Sequence, residues 1–185
     1  MILNDSEIRG ALIHKLENQS IKPKAVIEEL RVHNGNAIAD VVALYNEAHC
    51  YEIKGCNDKI ERVLVQGNFY NSSFRKITLV TTENHLQKAA DITPHYWGIM
   101  LASHTKGCLQ LKYIRGARNN PEFNKELALL TLWKSEMLSI LEESKHKRKP
   151  RDFLAQLISN TKKKAELSSN ICDLLLDRHH SSVTK

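Results

Sequence analysis

The chain has 185 residues, of which 42% are hydrophobic and 26% are charged, which is typical of a folded domain rather than a disordered segment. No apolar run approaches the roughly 20 residues that a membrane helix needs. The amino-terminal stretch MILNDSEIRGALIHKLENQ lacks the basic and apolar regions of a signal peptide. We therefore expect a cytoplasmic protein with no membrane partner.

The net charge of +6 is unevenly distributed along the chain. Residues 1–144 hold 17 basic and 17 acidic residues, whereas residues 145–185 hold ten basic and four acidic ones. The basic runs are KHKRKPR at 145–151 and KKK at 162–164. Such a segment attracts a polyanion through its long-range field and through counterion release. A solvated basic face on a helical segment is the simpler explanation, so the charge favours a nucleic-acid partner only if the rest of the chain does.

In chain order, residues 4–19 are predicted to form a helix, because NDSE offers capping side chains and an apolar stripe follows at helical spacing. Residues 25–30, after Pro23, predict a second short helix. HNGN predicts a turn. Residues 37–45 and 48–54 are enriched in Val, Ile and Tyr on either side of NEAH, which indicates a β-hairpin.

Further along, residues 58–70 have helical spacing, and ENHLQKAADI predicts another short helix. KITLVTT and WGIMLAS are typical of strands buried on both faces, and GCLQLKYIRGA alternates like an edge strand. From Pro121 the pattern is helical, and both Trp97 and Trp133 fall within apolar stripes that indicate core positions. The apolar stripe of this helical region consists of Leu127, Leu130, Leu132, Trp133, Met137, Leu138 and Leu141.

This order of elements predicts an α/β fold with a mixed central sheet flanked by helices. We divide the chain into a core at residues 1–120 and a C-terminal helical extension with a basic tail at residues 121–185.

Three charged residues lie on the predicted hairpin, where a core strand should carry none. Glu52 and Lys54 share one face of their strand because side chains alternate with a period of two. The predicted turn brings Asp40 opposite residue 53 or 54, within reach of both charges. Two neighbouring carboxylates repel each other unless a cation joins them, and Mg²⁺ favours such a pair together with waters and a substrate phosphate. With an adjacent lysine, these groups can hydrolyse phosphodiesters.

The alternative is a surface ion pair between Asp40 and Lys54 on a solvent-facing strand. That arrangement predicts polar residues at alternate positions, and ADVVALY is apolar on both faces except at Asp40. The spacing alone leaves both interpretations open.

These residues carry a resemblance. Asp40, eleven intervening residues and then Glu52-Ile53-Lys54 resemble the D-x(n)-(D/E)xK signature of the PD-(D/E)xK nuclease superfamily, with alanine in the usual proline position. The order of predicted elements is similar to that superfamily's restriction-endonuclease-like core. More narrowly, the chain resembles a bacterial family of small PD-(D/E)xK-like proteins. The shared segments run over most of residues 5–144 and include EIR, IADVV…YEIKG, ITLVT, WGIMLA and LLTLWKSEML.

The resemblance implies a role for each matching residue. Asp40 and Glu52 would ligate Mg²⁺ or Mn²⁺, and the carbonyl group of Ile53 would add another oxygen. Lys54 would orient or deprotonate the attacking water. Glu7 on the first helix matches an acidic residue that many members direct to the same metal, although a carboxylate that stabilises the helix N-terminus explains it equally well.

A second motif lies on the following predicted helix. Gln66 and Tyr70, four residues apart on one helix face, resemble the QxxxY motif of RecB-type nucleases. In those enzymes the pair steadies the catalytic lysine and the substrate backbone. A surface glutamine and a core tyrosine would give the same pattern.

The sequence thus favours a Mg²⁺- or Mn²⁺-dependent (endo)deoxyribonuclease. One alternative is a catalytically silent nucleic-acid-binding module on the same fold. Another is a protein-interaction adaptor, in which the C-terminal helices would form a homodimer or bind a protein partner.

Overall fold

The computed structural model describes residues 3–105, 107–141 and 144–183. The protein is α/β, with a mixed sheet of six strands flanked by helices, as the sequence predicts. The strands are β1 (Ala25–Val32), β2 (Ala37–Leu44), β3 (Ala48–Lys54), β4 (Lys76–Thr82), β5 (Gly98–Thr105) and β6 (Cys108–Arg115). The helices are α1 (Asp5–Asn18), α2 (Arg62–Ser73), α3 (Glu83–Ile92), α4 (Lys125–Leu129), α5 (Lys134–Leu141), α6 (Arg151–Thr161) and α7 (Lys164–Val183).

The strands lie in the sheet in their order along the chain, from β1 to β6. The β1–β2, β2–β3 and β5–β6 pairs are antiparallel, whereas β3, β4 and β5 are mutually parallel. Parallel neighbours require a crossover, and α2 and α3 provide the two crossovers. The sheet therefore changes from antiparallel to parallel at β3, the strand that carries Glu52 and Lys54.

Each face of the sheet is covered by a separate apolar cluster. On one face, α1 buries Ile8, Leu12 and Leu16 against side chains from β2 to β5. On the other face, α2 and the C-terminal helices pack on β1 to β4. The two central strands β3 and β4 are consequently buried on both sides, which explains their nearly continuous apolar sequence.

Two predicted helices differ from the structure. Residues 25–30 form the edge strand β1, which pairs with β2 along nearly all of its length, so ladder hydrogen bonds outweigh the helix propensity of this short segment. The helix predicted for residues 58–70 begins only at Arg62. Asp58 instead accepts a 2.7 Å hydrogen bond from the backbone N–H of Gly55. The HNGN turn is confirmed as a 3₁₀ turn at His33–Gly35, in which all three residues have positive φ.

The C-terminal helical region packs onto the sheet. Its predicted apolar stripe is interrupted, because Leu130, Leu132 and Trp133 lie between α4 and α5, and the prediction that Trp133 is a core residue is wrong. Trp133 is 59% exposed, and the guanidinium group of Arg178 lies 4.3 Å from its ring centroid. Within the described part of the chain, no helix is long and apolar enough to cross a membrane. The buried residues of α6 and α7 include Leu154, Ile158, Leu167, Ile171 and Leu175, which share one cluster with the sheet.

Candidate functional site

The three charged residues of the hairpin lie where β2 and β3 stop pairing. The last ladder pair is Val41 with Tyr51, so the register places Asp40 opposite residue 52, rather than 53 or 54 as the sequence suggested. Beyond that pair, the N–H of Ile53 donates a 2.7 Å hydrogen bond to Asp40 Oδ2. The carboxylate thus takes the place of a backbone carbonyl group of β2 as the acceptor. The side chain thus holds the strand ends together where the ladder ends.

The alternation of side chains in β2 slips by one residue at Asp40. Ala37 and Ala39 face the cluster under α2, whereas Val41 and Ala43 face α1. The ladder between β1 and β2 is interrupted at the same level, where Glu29 has a φ of +53°. Such a local irregularity redirects a side chain without ending the strand. It leaves Asp40 between the two layers, with a side chain that is 20% exposed.

Glu52 and Lys54 lie on the α2 side of β3 and form a buried ion pair. The side chain of Glu52 is fully buried and that of Lys54 is 8% exposed. The ammonium group contacts Glu52 Oε1, while the Tyr70 hydroxyl lies 2.7 Å from Oε2. The hydroxyl of Thr81 donates a 3.1 Å hydrogen bond to the backbone carbonyl of Lys54 and so links β4 to this strand end. Each oxygen of the Glu52 carboxylate therefore has its own partner.

Helix α2 contributes both residues of the second motif. Tyr70 is buried, and its hydroxyl lies 2.7 Å from the carbonyl oxygen of Ile38 on β2 as well as from Glu52. Gln66 Nε2 lies 3.5 Å from the same hydroxyl, and its Oε1 is buried without a hydrogen-bond partner among the described residues. Gly67 brings the helix close to Trp97, since a Cβ there would lie 3.3 Å from the ring.

Burial determines the electrostatics of the two carboxyl groups. Burial and then the charge of Asp40 raise the pKa of Glu52 to about 7, although Lys54 and Tyr70 act in the opposite direction. Burial also raises the pKa of Asp40, against the lowering effect of the Ile53 N–H and of Lys54. The two acids therefore repel each other, and the neighbouring lysine offsets this only in part.

Glu7 lies outside this cluster. It forms a capping box at the start of α1, where its backbone N–H donates to the Asn4 side chain at 2.9 Å and its Oε2 accepts from the Asn4 N–H at 3.1 Å. The helix-cap explanation therefore fits Glu7, because its side chain accepts a hydrogen bond at the N-terminus of α1.

Two residues of α1 that the sequence did not single out lie closer to the site. Arg9 binds Asp5 at 2.8 Å and lies 3.7 Å from Asp40 Oδ1. Asp5 and Arg9 are one helical turn apart, which is a recognisable pairing signal, but only the packing of α1 on the sheet brings them to Asp40.

The donor atoms suit a hard divalent cation. Asp40, Glu52 and the carbonyl group of Ile53 provide oxygen ligands only, and Mg²⁺ needs one or two carboxylates beside waters and a substrate phosphate. The mutual repulsion of the two acids is the condition that such a cation would relieve. Among residues 3–105, 107–141 and 144–183, no group of three or more His, Cys, Asp or Glu side chains is arranged to hold a metal ion.

The chain is similar to a bacteriophage protein. It is 26% identical over 143 residues to Protein cII of Enterobacteria phage P4. The alignment covers 77% of this chain and 54% of the phage protein, so the chain spans about half the length of that relative. No solved structure matches the chain significantly. A family profile described as Bacteriophage P4 protein cII matches residues 2–183, almost the whole sequence, and the chain therefore belongs to the bacteriophage P4 protein cII family.

Proposed function

We propose that the protein is a metal-dependent nuclease that hydrolyses phosphodiester bonds in DNA. The observation that carries the proposal is the convergence of Asp40, Glu52 and Lys54 at one end of β3, with Tyr70 of α2 against the same carboxylate. A buried acid and a partly buried acid, both with raised pKa values and beside a buried lysine, are typical of functional sites.

The element order supports a restriction-endonuclease-like fold. A helix precedes three antiparallel strands, and α2 then crosses over to a parallel fourth strand. In this topology the acid of the second strand and the acid-lysine pair of the third strand lie side by side. The crossover also lays α2 over the same strand end, which explains why Tyr70 reaches Glu52.

Each residue has a distinct role in the proposed reaction. Asp40, Glu52 and the Ile53 carbonyl would hold Mg²⁺ or Mn²⁺, which when bound supplies positive charge that stabilises the phosphate in the transition state. Lys54 orients the attacking water or takes up its proton. Tyr70 positions Glu52, and the buried Gln66 amide positions the Tyr70 hydroxyl.

The test is a cleavage assay with purified protein. Plasmid and linear single- and double-stranded DNA are incubated with Mg²⁺, Mn²⁺ or EDTA. The nearly isosteric changes Asp40→Asn and Lys54→Gln should each lower the cleavage rate at least about 100-fold, because a lost ligand or proton acceptor removes stabilisation from the transition state. Lys112→Gln, an exposed change on β6, is the matched control and should cleave like the unaltered protein. Cleavage that persists in EDTA, or in both site variants, would contradict the proposal.

A catalytically silent nucleic-acid-binding module is the second candidate. It is favoured by the internal cations, since Lys54 contacts Glu52 and Arg9 lies 3.7 Å from Asp40. If these cations balance the acids permanently, the protein binds DNA in a salt-sensitive way, fails to bind Mn²⁺ and cleaves nothing. The adaptor hypothesis has less support, because Leu130, Leu132 and Met137 of the predicted apolar stripe are buried in the protein's own core and are not available to a partner.

A further inference from the structure

A second site lies at the other end of the sheet. A cavity of about 730 Å³ opens between the loop after α1, the β2–β3 turn and the loop after β6. His49, which lines it, is five residues before Lys54 on β3, or about 17 Å away along the strand. His49 and Glu52 are three residues apart on β3, so their side chains point to opposite faces of the sheet. Since Glu52 lies on the α2 side, His49 and the cavity lie on the α1 side. The cavity is therefore separate from the acidic cluster, which consists of Asp40, Glu52 and Lys54. It differs from that cluster in its position along the strand and in the face of the sheet on which it lies.

The floor of the cavity is aromatic and hydrogen-bonded. His49 stacks on Tyr51, with ring centroids 4.3 Å apart and planes 20° apart, and its Nε2 lies 2.8 Å from the Thr78 hydroxyl. The hydroxyls of Tyr51 and Tyr113 lie 3.5 Å apart. Burial and the nearby Lys76 lower the pKa of His49 to about 3, so this floor is uncharged at neutral pH.

The walls combine flat rings with positive charge. Tyr45 and Tyr113 line the cavity. Tyr113 is 43% exposed, so its ring is accessible to a ligand. Gln19 donates a 2.6 Å hydrogen bond to the Tyr45 hydroxyl, which fixes that ring.

Three lysines, Lys22, Lys24 and Lys76, also line the cavity. Among the described residues that line the cavity, Glu47 is the one with an acidic side chain, and Arg75 contacts that carboxylate. Lys24 also lies 3.7 Å from Asp173. The side chains that line the cavity still carry more positive than negative charge, which suits an anion.

We infer that this cavity binds a nucleoside phosphate, with the base against Tyr113 and the phosphate among the lysines. Its volume lies within the usual range for small-ligand sites. Tyrosine rings stack on any base, and ammonium groups attract phosphate as compact charges. The group recognised is the same whether the nucleotide is free or forms the end of a DNA strand.

The experiment is a calorimetric titration of the full chain in EDTA at low salt with thymidine 5′-monophosphate, thymidine and inorganic phosphate. The monophosphate should bind with a Kd below about 1 mM and at least about tenfold more tightly than either of the other two. Equal binding of inorganic phosphate and the nucleotide, or no detectable binding of the nucleotide, would overturn the inference.

Variants locate the binding site. Lys22→Gln should weaken nucleotide binding roughly three- to tenfold, and Tyr113→Leu about tenfold or more. Lys112→Gln, the neighbouring exposed lysine on β6 that does not line the cavity, should bind like the unaltered chain. Each variant is compared by thermal unfolding, so that a loss of affinity is attributed to the cavity only in a folded protein. Equal affinities of all three variants would also overturn the inference.

The source of the nucleotide follows from competition. A 5′-phosphorylated oligothymidylate that displaces the monophosphate identifies a strand end as the ligand, whereas one that does not compete identifies a free nucleotide. The titration is repeated with Asp40→Asn, in which binding at the cavity should be unchanged. Binding that disappears in Asp40→Asn would assign the nucleotide to the acidic cluster and overturn the inference, independently of whether the protein cleaves DNA.

Discussion

The hydroxyl oxygen of Tyr70 lies 2.7 Å from Glu52 Oε2. It lies equally close to the carbonyl oxygen of Ile38, yet a phenol has one proton to donate. Both contacts are satisfied together when Glu52 carries a proton of its own, which agrees with a pKa that burial and Asp40 raise to about 7. Through these contacts Tyr70 joins α2 to both strands of the hairpin.

Replacing Tyr70 with phenylalanine should therefore destabilise the protein. The change leaves the Ile38 carbonyl oxygen without its donor and the protonated Glu52 carboxyl group without its acceptor, and we expect the free energy of unfolding to fall by about 1–3 kcal/mol. Urea denaturation followed by circular dichroism measures this. Tyr113→Phe, at a residue that is 43% exposed, should change it by less than about 0.5 kcal/mol. Equal stability of Tyr70→Phe and the unaltered protein would show that the hydroxyl is not a structural link.

The sequence predicts the fold wherever local pattern and tertiary packing agree. The β2–β3 hairpin, strands β4 and β5 and helix α1 each have a clear local pattern, and all of them form. The pattern is a continuous apolar run in the two strands and a helical spacing of apolar residues in α1. Strand β1 was predicted as a helix because its pairing with β2 is a long-range contact that no local pattern records. Trp133 was predicted as a core residue because a stripe does not reveal where a helix is interrupted, here between α4 and α5.

The candidate site is predictable in part for similar reasons. The strand period places Glu52 and Lys54 together without any knowledge of the fold. The orientation of Asp40 depends on the change in side-chain alternation of β2 opposite Glu29 of β1. The approach of Arg9 to Asp40 depends on how α1 packs on the sheet. Both are tertiary effects. Only the resemblance implies that Glu7 reaches a metal, and in the structure its side chain caps α1.

Arg9 offers a test of whether an internal cation competes with a metal. Its guanidinium group lies 3.7 Å from Asp40 Oδ1 and repels a divalent ion near that carboxylate. We expect Arg9→Gln to tighten Mn²⁺ binding roughly three- to tenfold, as measured by calorimetry on the protein without DNA.

The control for this change keeps the charge. Arg9→Lys should bind Mn²⁺ nearly as the unaltered chain does, and Lys15→Gln on the same helix should have no effect. Weaker Mn²⁺ binding in Arg9→Gln would mean that the arginine holds Asp40 in place and does not compete for it.

His49 gives the protein a pH-dependent stability. Burial and Lys76 lower its pKa from 6.5 to about 3, so the folded protein holds it neutral while the unfolded chain protonates it below pH 6.5. The unfolded state binds the extra proton, and the stability contributed by neutral His49 is therefore lost as the pH falls from 6.5 toward 3.

The expected slope is measurable by denaturant unfolding between pH 6.5 and 5.5. Over this window the unaltered protein should lose about 1 kcal/mol more than His49→Gln, which cannot take up the proton. The glutamine amide can still reach the Thr78 hydroxyl, so the variant should fold. Parallel pH dependences in the two proteins would show that His49 titrates normally in the folded state.

The contribution of the basic C-terminal region to DNA binding cannot be tested by removing the region. Leu154, Ile158, Leu167 and Leu175 are buried in the main core, and a deletion of residues 145–185 would expose the sheet. Part of its charge is also used internally, since Lys162 pairs with Glu166 at 2.7 Å. The exposed cations Lys147, Arg148 and Lys149 lie outside this core.

Changing Lys147, Arg148 and Lys149 together to glutamine should weaken DNA binding and reduce its salt dependence. Each lost phosphate contact on duplex DNA lowers the slope of log K against log salt by about 0.9, so a reduction of about 2–3 is expected if all of them contact phosphate. Fluorescence anisotropy from 50 to 200 mM salt measures the slope in EDTA, where no cleavage interferes. A triple change at Lys15, Lys59 and Lys112 removes the same charge elsewhere and should alter the slope less. If the two triple variants have equal slopes, net charge alone attracts the DNA, and the segment before α6 does not contact it.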